Sequence, residues 1–209
     1  MGFWQKPELS STFKIIKMKK IQLKGTERAG LGKKETKKSR VEQQIPCVLY
    51  GNNVNNLHFT VFVNDLNHLI YTPDAYLIDL EVAGKKHLAV LRDIQFHPLT
   101  DEILHIDFFN VDEKVPVAVD IPVAIHGNSE GVKQGGKLQV LTRKLKVSAL
   151  VKDLPENLPI DITDLGLGKT IFVKDLSYPN LVILTASSST ICRIKTTRAS
   201  REAAAQGGK

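Results

Sequence analysis

The sequence predicts a mainly β protein: a small N-terminal β-barrel carrying short helices, followed by a second, mostly β domain. Two observations lead there. Short runs that are apolar, or that alternate in hydrophobicity, recur at close spacing between Gly, Pro, Asn and Asp turn signals, which suits a barrel. Helix signals appear at only two places before residue 112, and both segments are brief. The chain has 209 residues, 42% hydrophobic and 24% charged, enough for one large or two ordinary domains with packed cores.

Taken in order, Ile21 to Arg28 alternates weakly and reads as a first strand, broken at Ala29-Gly30-Leu31-Gly32. Thr36 is placed to cap a short helix running through Glu42. Ile45 to Tyr50 reads as an apolar strand closed by the turn signal Gly51-Asn52-Asn53. His58 to Val63 is another strand, and Asn64 is placed to cap a helix through Tyr71 with Leu66, Leu69 and Ile70 on one face. Three strands follow, Ala75 to Val82, His87 to Ile94 and Ile103 to Val111, the first two joined by a hairpin turn at Gly84-Lys85-Lys86.

A boundary is expected near Asp112-Glu113-Lys114, giving domains of 18–112 and 113–196. Beyond it, Val115 to His126 is strand-like, with Pro116 and Pro122 confining it to a sheet edge. Leu138 to Ala149 reads as one alternating run, and short strands are expected near 160–162, 170–173, 181–184 and 190–194. Residues 1–17 have no clear period and are expected to form a flexible extension, and 197–209 a disordered tail.

Charge is distributed unevenly. The 24 residues from Lys17 to Arg40 hold ten basic residues and two acids, a net +8 that exceeds the +7 of the whole chain. Val41 to Asp112 holds three basic residues and ten acids, a net −7. A short cationic segment in an otherwise acidic module suits a polyanion, and nucleic acid is the leading class. Few aromatics interleave with the basic residues, which disfavours a base-stacking platform for single strands and favours a reader of backbone and groove.

Other chemistries find little support. No apolar run approaches the ~20 residues needed to span a bilayer, so no membrane partner is expected. Lys14 and Lys17 interrupt the only apolar patch near the start, so no secretory signal is read there. Cys47 and Cys192 are lone cysteines in apolar runs, expected to be buried and structural in a reducing, cytoplasmic setting. Gly131-Val132-Lys133-Gln134-Gly135-Gly136-Lys137-Leu138 has phosphate-loop spacing, but Leu138 stands where a hydroxyl must reach magnesium. His97, His105 and Asp107 lie close in sequence, but only His105 and Asp107 would share a strand face, and no further ligand stands at a familiar spacing from them, so no metal or other cofactor is expected. No nucleophile motif or paired carboxylates stand out, so neither an enzyme nor a small-molecule substrate is expected.

Three blocks carry a resemblance. The first is Gly30-Leu31-Gly32-Lys33, Thr36-Lys37-Lys38-Ser39-Arg40 and Ile45-Pro46-Cys47-Val48-Leu49-Tyr50-Gly51. The second is Arg92-Asp93-Ile94-Gln95-Phe96-His97-Pro98-Leu99-Thr100 with His105-Ile106-Asp107-Phe108, and the third is Glu130-Gly131-Val132 with Gly135-Gly136-Lys137-Leu138. Together they resemble the bacterial large-subunit ribosomal proteins that bind 5S ribosomal RNA, in the long two-domain form also called general stress protein Ctc. The likeness runs from about Met18 to Thr196.

The resemblance implies a six-stranded barrel bound to the loop E region of 5S rRNA, followed by the second β domain. It implies RNA contacts from Lys33, Thr36, Lys37, Lys38, Arg40, Tyr50, Gln95, His105 and Asp107. Short family members carry serine and arginines where this chain has Thr36, Lys37 and Lys38; threonine keeps the hydroxyl, and lysine keeps the charge without the planar fork. It implies a non-catalytic protein of the ribosome's large subunit that supports translation, with 23S rRNA and neighbouring large-subunit proteins as partners for the second domain. A stress-induced factor that joins ribosomes conditionally is the alternative reading, and an enzyme with a degenerate phosphate loop is a third.

Overall fold

The computed structural model describes residues 18–197 apart from 29, 31 and 53, so the expectations for the extension 1–17 and for the tail from 198 onward lie outside the described residues. Six strands close the N-terminal barrel: β1 (Lys19–Glu27), β2 (Gln44–Gly51), β3 (Val54–Phe62), β4 (Tyr76–Val82), β5 (Lys85–Phe96) and β6 (Ile103–Asn110). Their order around the barrel is β1-β3-β2-β6-β5-β4, with β1–β4 and β2–β6 parallel and the other pairs antiparallel. Closure removes the free edges that an open sheet of this kind would expose.

Alternation fills the inside. Leu23, Ile45, Cys47, Leu49, Phe59, Val61, Ile78, Leu80, Ile106 and Phe108 are buried together, with Phe59 and Phe108 stacked at 5.8 Å between ring centres. Burial pushes the Cys47 thiol up and Cys192, also buried, is raised for the same reason, so both are structural as expected.

The helices α1 (Lys33–Val41) and α2 (Val63–Ile70) begin earlier than their hydroxyl or amide residues suggest. Gly32 caps α1 and Phe62 caps α2, neither through a side-chain hydrogen bond. Thr36 sits one turn inside α1, where its hydroxyl donates to the Gly32 carbonyl at 2.9 Å. Asn64 likewise lies within α2, whose Leu66 and Leu69 join the barrel core. β3 starts four residues before the expected His58, and β5 runs beyond both expected ends. The β4–β5 turn is Ala83-Gly84, with φ of 49° and 76°, the paired positive values of a tight hairpin, so Lys85 and Lys86 belong to the strand.

The C-terminal part contains β7 (Val117–His126), a one-turn helix α3 (Glu130–Lys133), β8 (Lys137–Val140), β9 (Lys144–Ala149), β10 (Leu158–Asp161), β11 (Thr170–Phe172), β12 (Val182–Ile183) and β13 (Thr190–Lys195). They form a four-stranded sheet β10-β7-β9-β12 and a three-stranded sheet β11-β13-β8. The expected single run Leu138 to Ala149 is therefore two strands in two sheets. β7 is an interior strand despite Pro122. The proline occupies the last rung of the β7–β9 ladder, and the β10 ladder starts at Val123 on the other side, so its missing N–H is tolerated.

Outward-facing Leu77, Val90 and Val111 of the N-terminal part share one apolar core with Val119, Ile121, Leu145, Leu154 and Ile191. Polar ties join the same surfaces: Arg92 Nη1 donates to the Ala118 carbonyl at 2.8 Å, and Lys19 Nζ pairs with the buried Glu156 carboxylate at 2.7 Å.

Candidate nucleic-acid interface

The cationic segment forms α1, and its composition explains both why it is helical and why it is fragile. Lys, Glu and Arg favour helix, yet Lys33 and Lys37, and Lys34 and Lys38, stack like charges four residues apart. None of its residues is buried, and a nine-residue helix without an apolar face is marginal alone. Polar bonds hold it. Arg28 Nη2 donates to the Thr36 hydroxyl at 3.2 Å, the Ser39 hydroxyl donates to the Glu35 carbonyl at 3.0 Å, and Arg40 Nη2 donates to the Leu104 carbonyl at 2.9 Å. Helical spacing sets Lys33, Lys37 and Arg40 along one stripe, with Lys34 and Lys38 beside it. Arg40 is thus a brace as well as a cation. Arg40→Ala is expected to speed hydrogen exchange of the α1 amides by about 3- to 10-fold, the loss of one bond worth about 1 kcal/mol.

The brace ends beside the outer face of the barrel. In β6, Ile106 and Phe108 point inward, so His105, Asp107 and Phe109 point out. The registers align their neighbours. Gln95 stands opposite His105, Asp93 opposite Asp107, and Val48 beside Asp107 on the other flank. Tyr50 lies in register with Phe109 and meets it edge to face, 5.8 Å between centres at 83°. His105 Nδ1 and Asp107 Oδ1 are 2.8 Å apart, each side chain about 30% exposed. With Nδ1–H given to the carboxylate, Nε2 of His105 accepts when the ring is neutral and donates when it is protonated.

The structure therefore brings Gln95, His105 and Asp107 into one patch, sets Tyr50 further along the same face, and pins Lys33, Thr36, Lys37, Lys38 and Arg40 on a helix packed against β2. Thr36 is committed inside α1, between Arg28 and Gly32, so it shapes the helix more than it offers a free hydroxyl. Two neighbours were missed in the sequence. Asp93 shares the face with Gln95 two residues away in unbroken register, a spacing that pointed to it. His58 stands opposite Val48 on β3. Two carboxylates, Asp93 and Asp107, make this face unsuited to phosphates and suited to hydroxyl and amino groups; the phosphate-seeking charge is on α1.

The glycine motif at 131–136 is a packing device. The Gly131 amide donates to the Leu165 carbonyl, the Gly135 amide to Val132 and the Gly136 amide to Gly131, so these donors are spent internally. A Cβ on Gly131 would lie 2.7 Å from backbone atoms of Gly166 and Leu167, and one on Gly136 2.5 Å from Ile194 Cγ2. Lys137 belongs to β8 and is exposed. His97 Nδ1 accepts from the amides of Leu99 and Thr100 at 3.4 and 3.3 Å, closing a turn. Among the described residues no three or more His, Cys, Asp or Glu side chains gather as a metal site would require.

Comparison with known proteins gives a consistent picture. The ribosomal L25p family matches residues 23–108, and the C-terminal domain of ribosomal protein TL5 matches residues 116–198. A protein of Phocaeicola vulgatus named large ribosomal subunit protein bL25 is 48% identical over 198 residues, covering 92% of this chain and 100% of its own length. The protein of that name from Porphyromonas gingivalis is 48% identical over 188 residues, covering 90% of this chain and 98% of its own. The one from Parabacteroides distasonis is 40% identical over 195 residues, covering 91% and 100%.

Proposed function

Because the chain belongs to the ribosomal L25p family, we propose that it is a structural, non-enzymatic protein of the large ribosomal subunit whose barrel binds the loop E region of 5S rRNA. The observation that carries the reading is the Arg40–Leu104 brace, which fixes a helix of stacked cations next to the His105–Asp107 pair. An RNA helix offers a wide, shallow minor groove lined with 2′-hydroxyls and base edges, flanked by phosphates. The polar face meets the groove. Gln95 both donates and accepts, His105 presents Nε2, and Asp107 accepts from a hydroxyl or an amino group. A carboxylate facing RNA is costly unless it finds such a donor, so Asp107 selects for the groove surface that supplies one. Lys33, Lys37, Lys38 and Arg40 take phosphates alongside, which positions the protein and supplies sequence-independent affinity.

The two halves of the interface separate experimentally. Asp107→Ala is expected to weaken binding to a loop E fragment by about 10- to 100-fold, one good base-edge contact. Affinity for a plain RNA duplex should stay the same or rise, because a negative charge is removed, and the salt dependence should not change. Equal losses on both RNAs would reject the groove-reading role of this face.

A further inference from the structure

A second surface carries the same chemistry and lies outside the barrel. We propose that the outer face of the β11-β13-β8 sheet is a second phosphate-binding surface, on which an RNA backbone lies without regard to its sequence. The three strands read TIF, TICRIK and KLQV and contain no acid. Their inward residues Ile191, Cys192 and Ile194 are buried, which turns Arg193 and Lys195 outward, and both are exposed together with Lys137 and Gln139.

The register makes this more than a few surface lysines. Lys137 is directly opposite Lys195, and Gln139 directly opposite Arg193. Like charges facing each other across a ladder, with Cβ atoms about 5 Å apart, destabilise the pair of strands. The neighbouring sheet is arranged the other way: Lys146 of β9 stands opposite Asp120 of β7. No ion pair joins Lys137, Arg193 or Lys195 to a carboxylate among the described residues. Gln139 Oε1 accepts from Arg193 Nε at 3.0 Å, which steadies the guanidinium. An external polyanion offsets the repulsion that the fold leaves uncompensated. The choice of RNA rests on the ribosomal reading above, whereas the anion-binding chemistry rests on the sheet itself.

The test uses the full chain in a Lys37→Ala/Lys38→Ala/Arg40→Ala background, so that the α1 contribution is reduced, and a plain RNA duplex as the probe. Adding Lys137→Gln/Arg193→Gln/Lys195→Gln should lower the remaining affinity by at least tenfold and the magnitude of the log–log salt slope by two to three units. A Lys195→Glu variant sets opposite charges across the ladder. It should raise or preserve the thermal midpoint while weakening duplex binding, which separates lost binding from lost folding. Unchanged affinity and slope in the glutamine variant would overturn the proposal. So would tighter binding of poly-glutamate than of the duplex, which would assign the face to an acidic protein segment. A failure of the 5S reading would be seen separately, as equal affinity of the unaltered protein for loop E and plain duplex.

Discussion

Replacing Lys37, Lys38 and Arg40 by alanine is expected to weaken binding to a 5S loop E fragment by about 100-fold near 0.15 M salt. Each phosphate contact releases counterions, and a slope of about 0.9 per contact corresponds to a factor of about 5 at that salt, so three contacts give about 100. The salt slope should fall in magnitude by two to three units. Binding to a plain duplex should fall in parallel, since these side chains read no sequence. Arg40 adds a second effect through its bond to the Leu104 carbonyl. A Lys37→Ala/Lys38→Ala variant keeps that brace and should lose about two units of slope with α1 still formed, as circular dichroism would report. A triple variant with wild-type affinity would make α1 only a solvated helix.

A large stability effect is expected at Gly25, inside the barrel that carries the candidate site. It lies on β1 opposite Val82 of β4, and a Cβ there would come within 2.5 Å of Phe59 Cδ2 and 3.0 Å of Val82 Cγ2. Phe59 has nowhere to move, being fully buried and stacked on Phe108. Gly25→Val is expected to cost about 3 kcal/mol or more through overpacking, a fall in thermal midpoint of about 6–12 °C for a chain of this size. Gly84→Asn provides the contrast. A Cβ there meets nothing within 4 Å, and asparagine tolerates its positive φ of 76°, so the midpoint should move by about 2 °C or less. A Gly25→Val midpoint within 1 °C of wild type would mean that the barrel interior is looser than the packing implies.

Much of the fold could be read locally because a strand with one buried face alternates. Ile103 to Val111 and Ala75 to Val82 became β6 and β4 within a residue at each end. All six barrel strands were legible as local runs, but that they close into a barrel of six was stated only by the resemblance, since periodicity does not show which strands pair. The helix starts were misjudged because capping looks for a hydroxyl or amide, while here Gly32 and Phe62 hold the cap positions and Thr36 and Asn64 lie inside. The Leu138 to Ala149 run hid a phase change: Leu138 and Val140 are even, Leu145 and Val147 odd, and Leu141 at the break is 48% exposed. That slip marks where the chain passes from one sheet to the other. What joins the candidate site was not legible at all. The Arg40 bond to Leu104 spans 64 residues, and the pairing of Val48 with Asp107 depends on a parallel register between strands far apart in sequence.

Hydroxyl-radical footprinting of full-length 5S rRNA bound by the protein checks the proposal that the barrel grips one place on that RNA through its outer face and α1. Protection confined to loop E, on riboses lining one minor groove, and lost from those riboses in Asp107→Ala, is the predicted result. Protection spread evenly along the RNA, or centred on another helix and indifferent to Asp107, would contradict it.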